Sequence, residues 1–223
     1  MTRVGSGLKP VSRLAFQRVS AACGIAAPIL SVLVALSVGY IHPGYSFTEQ
    51  RLSELGASGA PFAPLFNVMG LMASGVLVAV LSLGFYSEFS SDRLARVGCR
   101  LLTLCGVSLF MTGIFPCDVG FVKASASGIA HGVFASIGTF AIIGAALAMW
   151  LSLKGHAGWE NHSWFSLTVA VVAVALYLPY QFCSFAAWDG AIQRTLVTVV
   201  LVWIEVMSIK LLSRSRTGAS IRQ

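Results

Sequence analysis

The amino-acid sequence predicts an all-α polytopic membrane protein, a bundle of six transmembrane helices. Hydrophobic residues make up 57% of the 223-residue chain and charged residues 10%, with a mean hydropathy of +0.82. A soluble domain carries about 25% charged residues, so most of this surface must face lipid. The sequence lacks the alternating segments of about ten residues that are typical of transmembrane β-barrels, which leaves helices as the spanning elements.

Six apolar runs are long enough to cross a bilayer, since a spanning helix needs about 20 apolar residues. They lie at residues 21–41, 64–85, 97–115, 130–152, 164–187 and 192–212. These runs occupy most of the chain, so residues 1–223 are expected to form a single transmembrane domain. The first run is too long for the core of a signal peptide, and it is expected to remain as a span.

Lysine and arginine are distributed unevenly between the two sides of this arrangement. Twelve lie in the leader, the second and fourth connections and the tail, against three in the other connections. Cytoplasmic loops carry an excess of these residues, so both termini are expected to be cytoplasmic, in a multi-pass protein of the inner (plasma) membrane. The same rule accounts for the net charge of +7. Membrane lipids, and not nucleic acid, are therefore the expected partners, and the oligomeric state stays open.

The first outer connection, HPGYSFTEQRLSELGASGAP at residues 42–61, is long enough to hold structure of its own. Ser46 and Glu49 have the spacing of a capping box, and Gly56 suits the end of a helix. These signals predict a short interfacial helix over residues 47–55.

Polar residues concentrate on the predicted outer side. The candidates for binding a ligand there are His42, Arg51, Glu54, Asp118, His131 and Arg194. Asp118 follows the third span and His131 opens the fourth, so the short connection between them is expected to fold back. We therefore expect these two side chains to converge over the outer mouth of the bundle.

Two non-catalytic interpretations of this outer group stay open. One is a structural network of ion pairs, in which Arg51 and Arg194 face the carboxylates of residues 54, 118 and 189. The other is an outward-facing polar pocket for a lipid or small solute, with Asn67, Tyr180 and Gln181 on its floor. In the second case the protein acts as a binder or accessory factor.

The alternative is a membrane-embedded hydrolase or transferase that acts on a lipid headgroup. Asp118, His131 and Glu54 are its catalytic candidates, because imidazole beside carboxylate is the usual general-base pairing. His42, Asp118 and His131 are also ligand types that zinc accepts, and catalytic zinc needs three protein ligands. No H-x-x-x-H, H-E-x-x-H or C-x-x-C motif occurs, so no cofactor is predicted and zinc is kept as an alternative.

Glu205 lies within the sixth span, where an acidic side chain should face the bundle and have a partner. Arg100, near the inner end of the third span, matches it in depth, so a structural Arg100–Glu205 ion pair or a proton relay is expected. Cys117 and Cys183 fall toward the outer side. They could form a disulfide or stay as free thiols.

Several short motifs resemble the family called domain of unknown function 998. They are PGYS at 43–46, LSELGA at 52–57, PLFN at 64–67, GIFPCD at 113–118, the helix-opening His131 and QR at 193–194. The resemblance implies a six-helix membrane fold and supplies no established reaction. More distantly the chain is similar to Frag/DRAM/Sfk-type membrane proteins, some of which are tied to lipid handling, which is an analogy of fold alone.

The charge asymmetry yields a test of topology. A reporter fused to the C-terminus should behave as a cytoplasmic protein, and one inserted near Lys123 should not, because the Lys/Arg-rich connections stay inside. Paired alkaline phosphatase and fluorescent-protein fusions measure this. Phosphatase activity from the C-terminal fusion would reverse the predicted orientation.

Overall fold

Six long apolar helices build the protein. The computed structural model describes residues 10–121, 124–183 and 185–220. Its six candidate spans are α1 (Pro10–Ile41), α2 (Ala63–Glu88), α3 (Arg93–Ile114), α4 (Ala126–Leu153), α5 (Glu160–Phe182) and α6 (Asp189–Ser220). The predicted all-α fold with six candidate membrane helices is confirmed. Of the charges counted above, Arg3, Lys9, Lys123 and Arg222 lie outside the described residues.

One end of the bundle contains the beginning of α1 and the end of α6 and is called here the terminal end. At this end the helices extend beyond the predicted apolar runs. Polar side chains hold these extensions together. Glu88 accepts a hydrogen bond from Gln17 Nε2 at 3.0 Å and pairs with Arg214 Nε at 3.4 Å, while Arg13 donates to the backbone carbonyl of Ser87. These contacts satisfy the charged side chains and the backbone carbonyls in place of water, so the helices can continue there through polar sequence.

The helices pack in sequence order, and α6 packs against α1 to close a circle. The backbones of α2 and α3 approach most closely at two glycines. A Cβ atom on Gly75 would lie 2.5 Å from the carbonyl oxygen of Gly106, and one on Gly106 would lie 2.6 Å from the carbonyl oxygen of Gly75. Small residues at such crossings allow helices to associate in lipid, where packing replaces the hydrophobic effect.

The hydrophobic core fills the half of the bundle nearer the terminal end. Its largest fully buried side chains include Phe85, Leu102, Met149, Trp203 and Met207. Trp203 satisfies its indole N–H by donating to Ser166 Oγ at 2.9 Å. The opposite half, called here the rim half, lies below the connections that follow α1, α3 and α5, and it keeps internal space.

The connection after α1 differs from the predicted interfacial helix over residues 47–55. It forms a turn after Ser46 and then a 3₁₀ helix, Leu52–Gly56. Ser46 Oγ accepts from the N–H of Glu49 as predicted, at 3.3 Å, but the side chain that returns to the N–H of Ser46 belongs to Gln50, at 2.8 Å. That hydrogen bond closes a single turn, and the chain does not continue as an α-helix.

After an α-helical start at Ala63–Leu65, α2 is wound as a π helix over Phe66–Ala73. Asn67 lies in this segment and donates from Nδ2 to the carbonyl of Gly56 at 2.9 Å. A Cβ atom on Gly56 would collide with the Asn67 side chain. The prediction that Asn67 lies on a cavity floor is therefore wrong, because its side chain holds the end of the 3₁₀ helix.

Candidate functional site

The start of α6 binds the connection after α1 through hydrogen bonds. The N–H groups of Gly190 and Ala191 donate to carbonyls within residues 47–50, at 3.2 and 2.9 Å. Arg194 Nη1 donates to two further carbonyls of the same segment, at 2.6 and 2.8 Å. Helix N-termini expose unpaired N–H groups, and here the loop carbonyls satisfy them. A Cβ atom on Gly190 would overlap the carbonyl of Gln50, so the close approach requires glycine.

Two further side chains of α6 make polar contacts with the start of the 3₁₀ helix. Asp189 accepts from Arg51 Nη2 at 3.0 Å, and both side chains are largely buried, with 15% and 22% exposure. Gln193 Oε1 accepts from the N–H of Leu52 at 2.6 Å. The Arg51 guanidinium also lies 4.8 Å above the Tyr180 ring of α5. Together, the contacts of residues 189–194 with residues 47–52 are called here the rim clamp.

Other predicted outer residues support this segment. Glu54 Oε1 accepts from the N–H of Arg51 at 2.8 Å. Tyr45 donates to the carbonyl of Arg51 at 3.0 Å and is contacted in turn by Arg194 Nη2. Burial raises the pKa of Tyr45 to about 12. His42 stands at the edge, its Nδ1 3.1 Å from the carbonyl of Pro43 and its ring 5.6 Å from that of Tyr45.

Asp118 caps the start of α4. Its two oxygens accept from the Ser125 N–H at 2.9 Å and the Ser125 hydroxyl at 2.7 Å. These two hydrogen bonds hold the pKa of Asp118 below its usual value. The described hydrogen bonds of Asp118 go to Ser125, and those of His131 go to the carbonyls of Thr112 and Phe115, so the predicted pairing of the two side chains is not seen among them. The short connection does fold back, but the nearest donors to the carboxylate are those of the helix start.

His131 lies one turn deeper, 2% exposed. Its Nδ1 is 2.8 Å from the carbonyl of Phe115 and 3.2 Å from that of Thr112. Carbonyl oxygens only accept hydrogen bonds, so Nδ1 carries a proton and, in the neutral ring, Nε2 carries the lone pair. These carbonyls belong to the last turn of α3, which has no further helical partner for them.

Two cavities adjoin in the rim half of the bundle. The polar cavity, about 290 Å³, lies between α4, α5 and α6 under the 3₁₀ helix. Its polar walls are formed by Arg51, Ser53, His131, Tyr180, Gln181 and Gln193. The prediction that Tyr180 and Gln181 line a cavity agrees with the structure, and its outward direction stays a prediction.

The apolar cavity, about 200 Å³, lies along the axis of the circle. Side chains of α1, α2, α3, α4 and α6 line it, and its deepest walls include Ala27, Val78, Cys105, Ile142 and Ile204. Both cavities are bordered by Ser53, His131, Ala135, Thr139 and Gln193, among others. This shared border is called here the neck.

The structure separates the residues that the catalytic interpretation grouped. Of the six predicted binding residues, Arg51 and His131 line the polar cavity, while His42, Glu54, Asp118 and Arg194 hold the surrounding loops. Among the described residues no three His, Cys, Asp or Glu side chains group around a point that a metal ion could occupy. Zinc binding stays an untested prediction.

The intramembrane pair predicted on α3 and α6 is also absent. Arg100 is exposed on α3, and no ion pair within the described chain joins it to Glu205. Glu205 Oε2 is buried without a hydrogen-bond partner. The depth of the two residues agreed, but α3 and α6 lie apart in the circle, which sequence spacing did not reveal.

The five cysteines are free, so the possible disulfide between Cys117 and Cys183 is not formed. Cys117 is buried and donates from Sγ to the carbonyl of Ser53 at 3.1 Å. Burial raises the pKa of this thiol to about 11, which keeps it protonated and able to donate. The bond fixes the 3₁₀ helix over the neck.

Sequence reasoning missed Ser53 and Gly190 as site residues and gave Gln193 no role. Gln193 and Arg194 were visible as a polar pair at the start of a span, but their targets are backbone groups, which leave no signature in sequence. Ser53 stands in the sequence only as part of the LSELGA motif, although its hydroxyl is buried and no described group bonds to it.

The family model "Protein of unknown function (DUF998)" matches residues 25–210. The chain belongs to this family. The match covers α2 to α5 in full and most of α1 and α6, including the rim clamp and both cavity walls, and it confirms the resemblance seen in the motifs. No curated protein and no solved structure matches the chain. The six candidate spans and the family together indicate a multi-span membrane protein.

The Asp118 cap predicts a pH-dependent contribution to stability. Its pKa is depressed in the folded protein, so the stabilisation is present at pH 7 and is lost as the pH falls through the folded value, below about 4. Asp118→Asn should therefore lower the melting temperature at pH 7 and lose this difference at acid pH. Thermal unfolding in detergent at both pH values measures it, and a difference that grows on acidification would contradict the cap.

Glu205 provides a second test. Because its Oε2 has no partner, Glu205→Gln should be close to neutral, and Glu205→Leu should stabilise the protein by about 1–3 kcal/mol. Glu88→Gln is the matched control, since Glu88 is paired and its replacement should destabilise. Denaturant unfolding in detergent compares the three variants. Destabilisation by Glu205→Leu would show that this carboxyl has a stabilising partner after all.

Proposed function

We propose that this protein binds an amphiphilic membrane lipid in the two adjoining cavities, as a non-catalytic binder or accessory factor. The observation that carries the proposal is the neck, where a polar cavity opens onto an apolar one. A lipid has the same division, a polar group attached to hydrocarbon. Its polar group would lie among Arg51, His131 and Gln193, and its hydrocarbon along the axis of the circle.

Orientation completes the proposal. The Lys/Arg asymmetry favours a cytoplasmic terminal end, which would place the rim at the outer face of the inner (plasma) membrane. The polar cavity would then lie at the depth of the outer headgroups, with the apolar cavity beside the acyl chains. A lipid would keep its own depth and orientation on entering, so that binding exposes no charge to hydrocarbon.

The pocket is also suited to binding because it is formed in advance. The rim clamp fixes Arg51 and Gln193, and the Phe115 and Thr112 carbonyls orient the His131 ring. Preformed sites lose less side-chain entropy on binding. The Asp118 and Glu54 carboxylates, which a hydrolase would need near His131, are instead engaged with Ser125 and the Arg51 backbone.

Filling the neck tests this function. Ala135 borders both cavities, and Ala135→Phe would place a ring across the passage. We expect at least about a tenfold loss of lipid binding, since overpacking of about 1.4 kcal/mol or more opposes the ligand. Native mass spectrometry of lipid retained by the purified protein, or exchange of an added fluorescent lipid, measures the loss.

Val133→Phe is the matched control, because Val133 is 50% exposed on the outer face of the same helix. It adds the same ring to lipid-facing surface and should bind as the unmodified protein does. Equal binding by both variants, with both folded, would remove the cavities from the function.

A further inference from the structure

We infer that the lipid bound here has a single hydrocarbon chain and an uncharged head with a hydroxyl or ester group, of the monoacylglycerol type. The inference rests on the proposed function and names the class of its ligand. Three features of the neck and its surroundings carry it: the charges, the hydrogen-bonding groups and the size of the apolar cavity.

The charges around the polar cavity are balanced. Arg51 is the one described lining side chain with a permanent charge, and it pairs with Asp189 at 3.0 Å. Arg194, the other cation among the described rim residues, donates from its guanidinium to loop carbonyls and to Tyr45. A phosphate or carboxylate head would enter a partly buried space in which both arginines already serve other acceptors, so its desolvation would not be repaid.

The hydrogen-bonding groups of the neck match a hydroxyl or ester. Ser53 is 92% buried, by its 8% exposure, and its hydroxyl has no partner. Gln193 uses its oxygen for the Leu52 N–H, so the group it can offer a ligand is the NH₂ donor. The Ser53 hydroxyl can both donate and accept a hydrogen bond. A ligand hydroxyl can donate to Ser53 while an ester carbonyl accepts from Gln193.

The hydrocarbon space is small. About 200 Å³ is available in the apolar cavity, less than the roughly 300–1,000 Å³ of pockets that enclose drug-sized molecules. Side chains of five helices border this space. One acyl chain suits this volume better than the two chains of a phospholipid.

The test compares three probes with one common chain. The purified full-length protein in detergent is titrated with 1-oleoyl-glycerol, oleate and 1-oleoyl-lysophosphatidic acid, and binding is followed by native mass spectrometry. We expect the uncharged monoacylglycerol to bind most tightly. Tighter binding of either anionic probe would overturn the inference and leave the proposed function standing. Failure of all three probes to bind would overturn both.

Two neck variants complete the design. Ser53→Ala removes a hydroxyl without a protein partner, and Gln193→Glu keeps the acceptor for Leu52 while removing the NH₂ donor. Each should weaken monoacylglycerol binding by about three- to tenfold, the effect of one lost hydrogen bond, with little change in melting temperature for Ser53→Ala. Ser58 is an exposed serine of the same connection, and the control variant Ser58→Ala should bind the monoacylglycerol as the unmodified protein does. Unchanged affinity in Ser53→Ala and Gln193→Glu would remove the neck from recognition of the head.

Discussion

The grip of α6 on the connection after α1 is the interaction on which the rest of the rim depends. Residues 47–52 cross the mouth of an apolar circle, and their backbone groups would be costly to leave unpaired there. Gly190, Ala191, Gln193 and Arg194 satisfy them from one helix start. Because the segment is fixed in this way, Ser53 sits above the neck, Arg51 reaches Asp189, and Cys117 finds the carbonyl it donates to.

This arrangement changes the meaning of the outer charged residues. Their concentration on one side suggested a ligand-binding pocket or a catalytic cluster, yet most of their hydrogen bonds and ion pairs are made within the protein itself. Arg194 binds backbone, Glu54 and Asp118 each stabilise a local turn or helix start, and Arg51 and Asp189 neutralise each other. The interior they enclose is polar without being strongly charged. Charge near a membrane surface can therefore indicate how a loop is held, and not what the site binds.

The sequence predicted the six helices well because their signal is local: the hydrocarbon thickness demands a run of about 20 apolar residues. It also identified Arg51, His131, Tyr180 and Gln181, which line the polar cavity. Pairings between distant residues failed, as with Asp118 and His131 or Arg100 and Glu205. Such pairs depend on helix rotation and on which helices are neighbours, and neither is encoded in spacing along the chain. The 3₁₀ and π segments were missed because backbone hydrogen bonds to other elements decide them.

The order of the circle has a consequence for biosynthesis. Helices α1 to α5 can each dock against the preceding one as the chain emerges, since the contacts are between neighbours in sequence. The last helix alone closes the circle, and it brings the groups that secure the loop made at the very beginning. An unfinished polypeptide would therefore have an open-sided groove where the finished one has a chamber. The proposed binding of a lipid would therefore begin only once α6 has packed against α1.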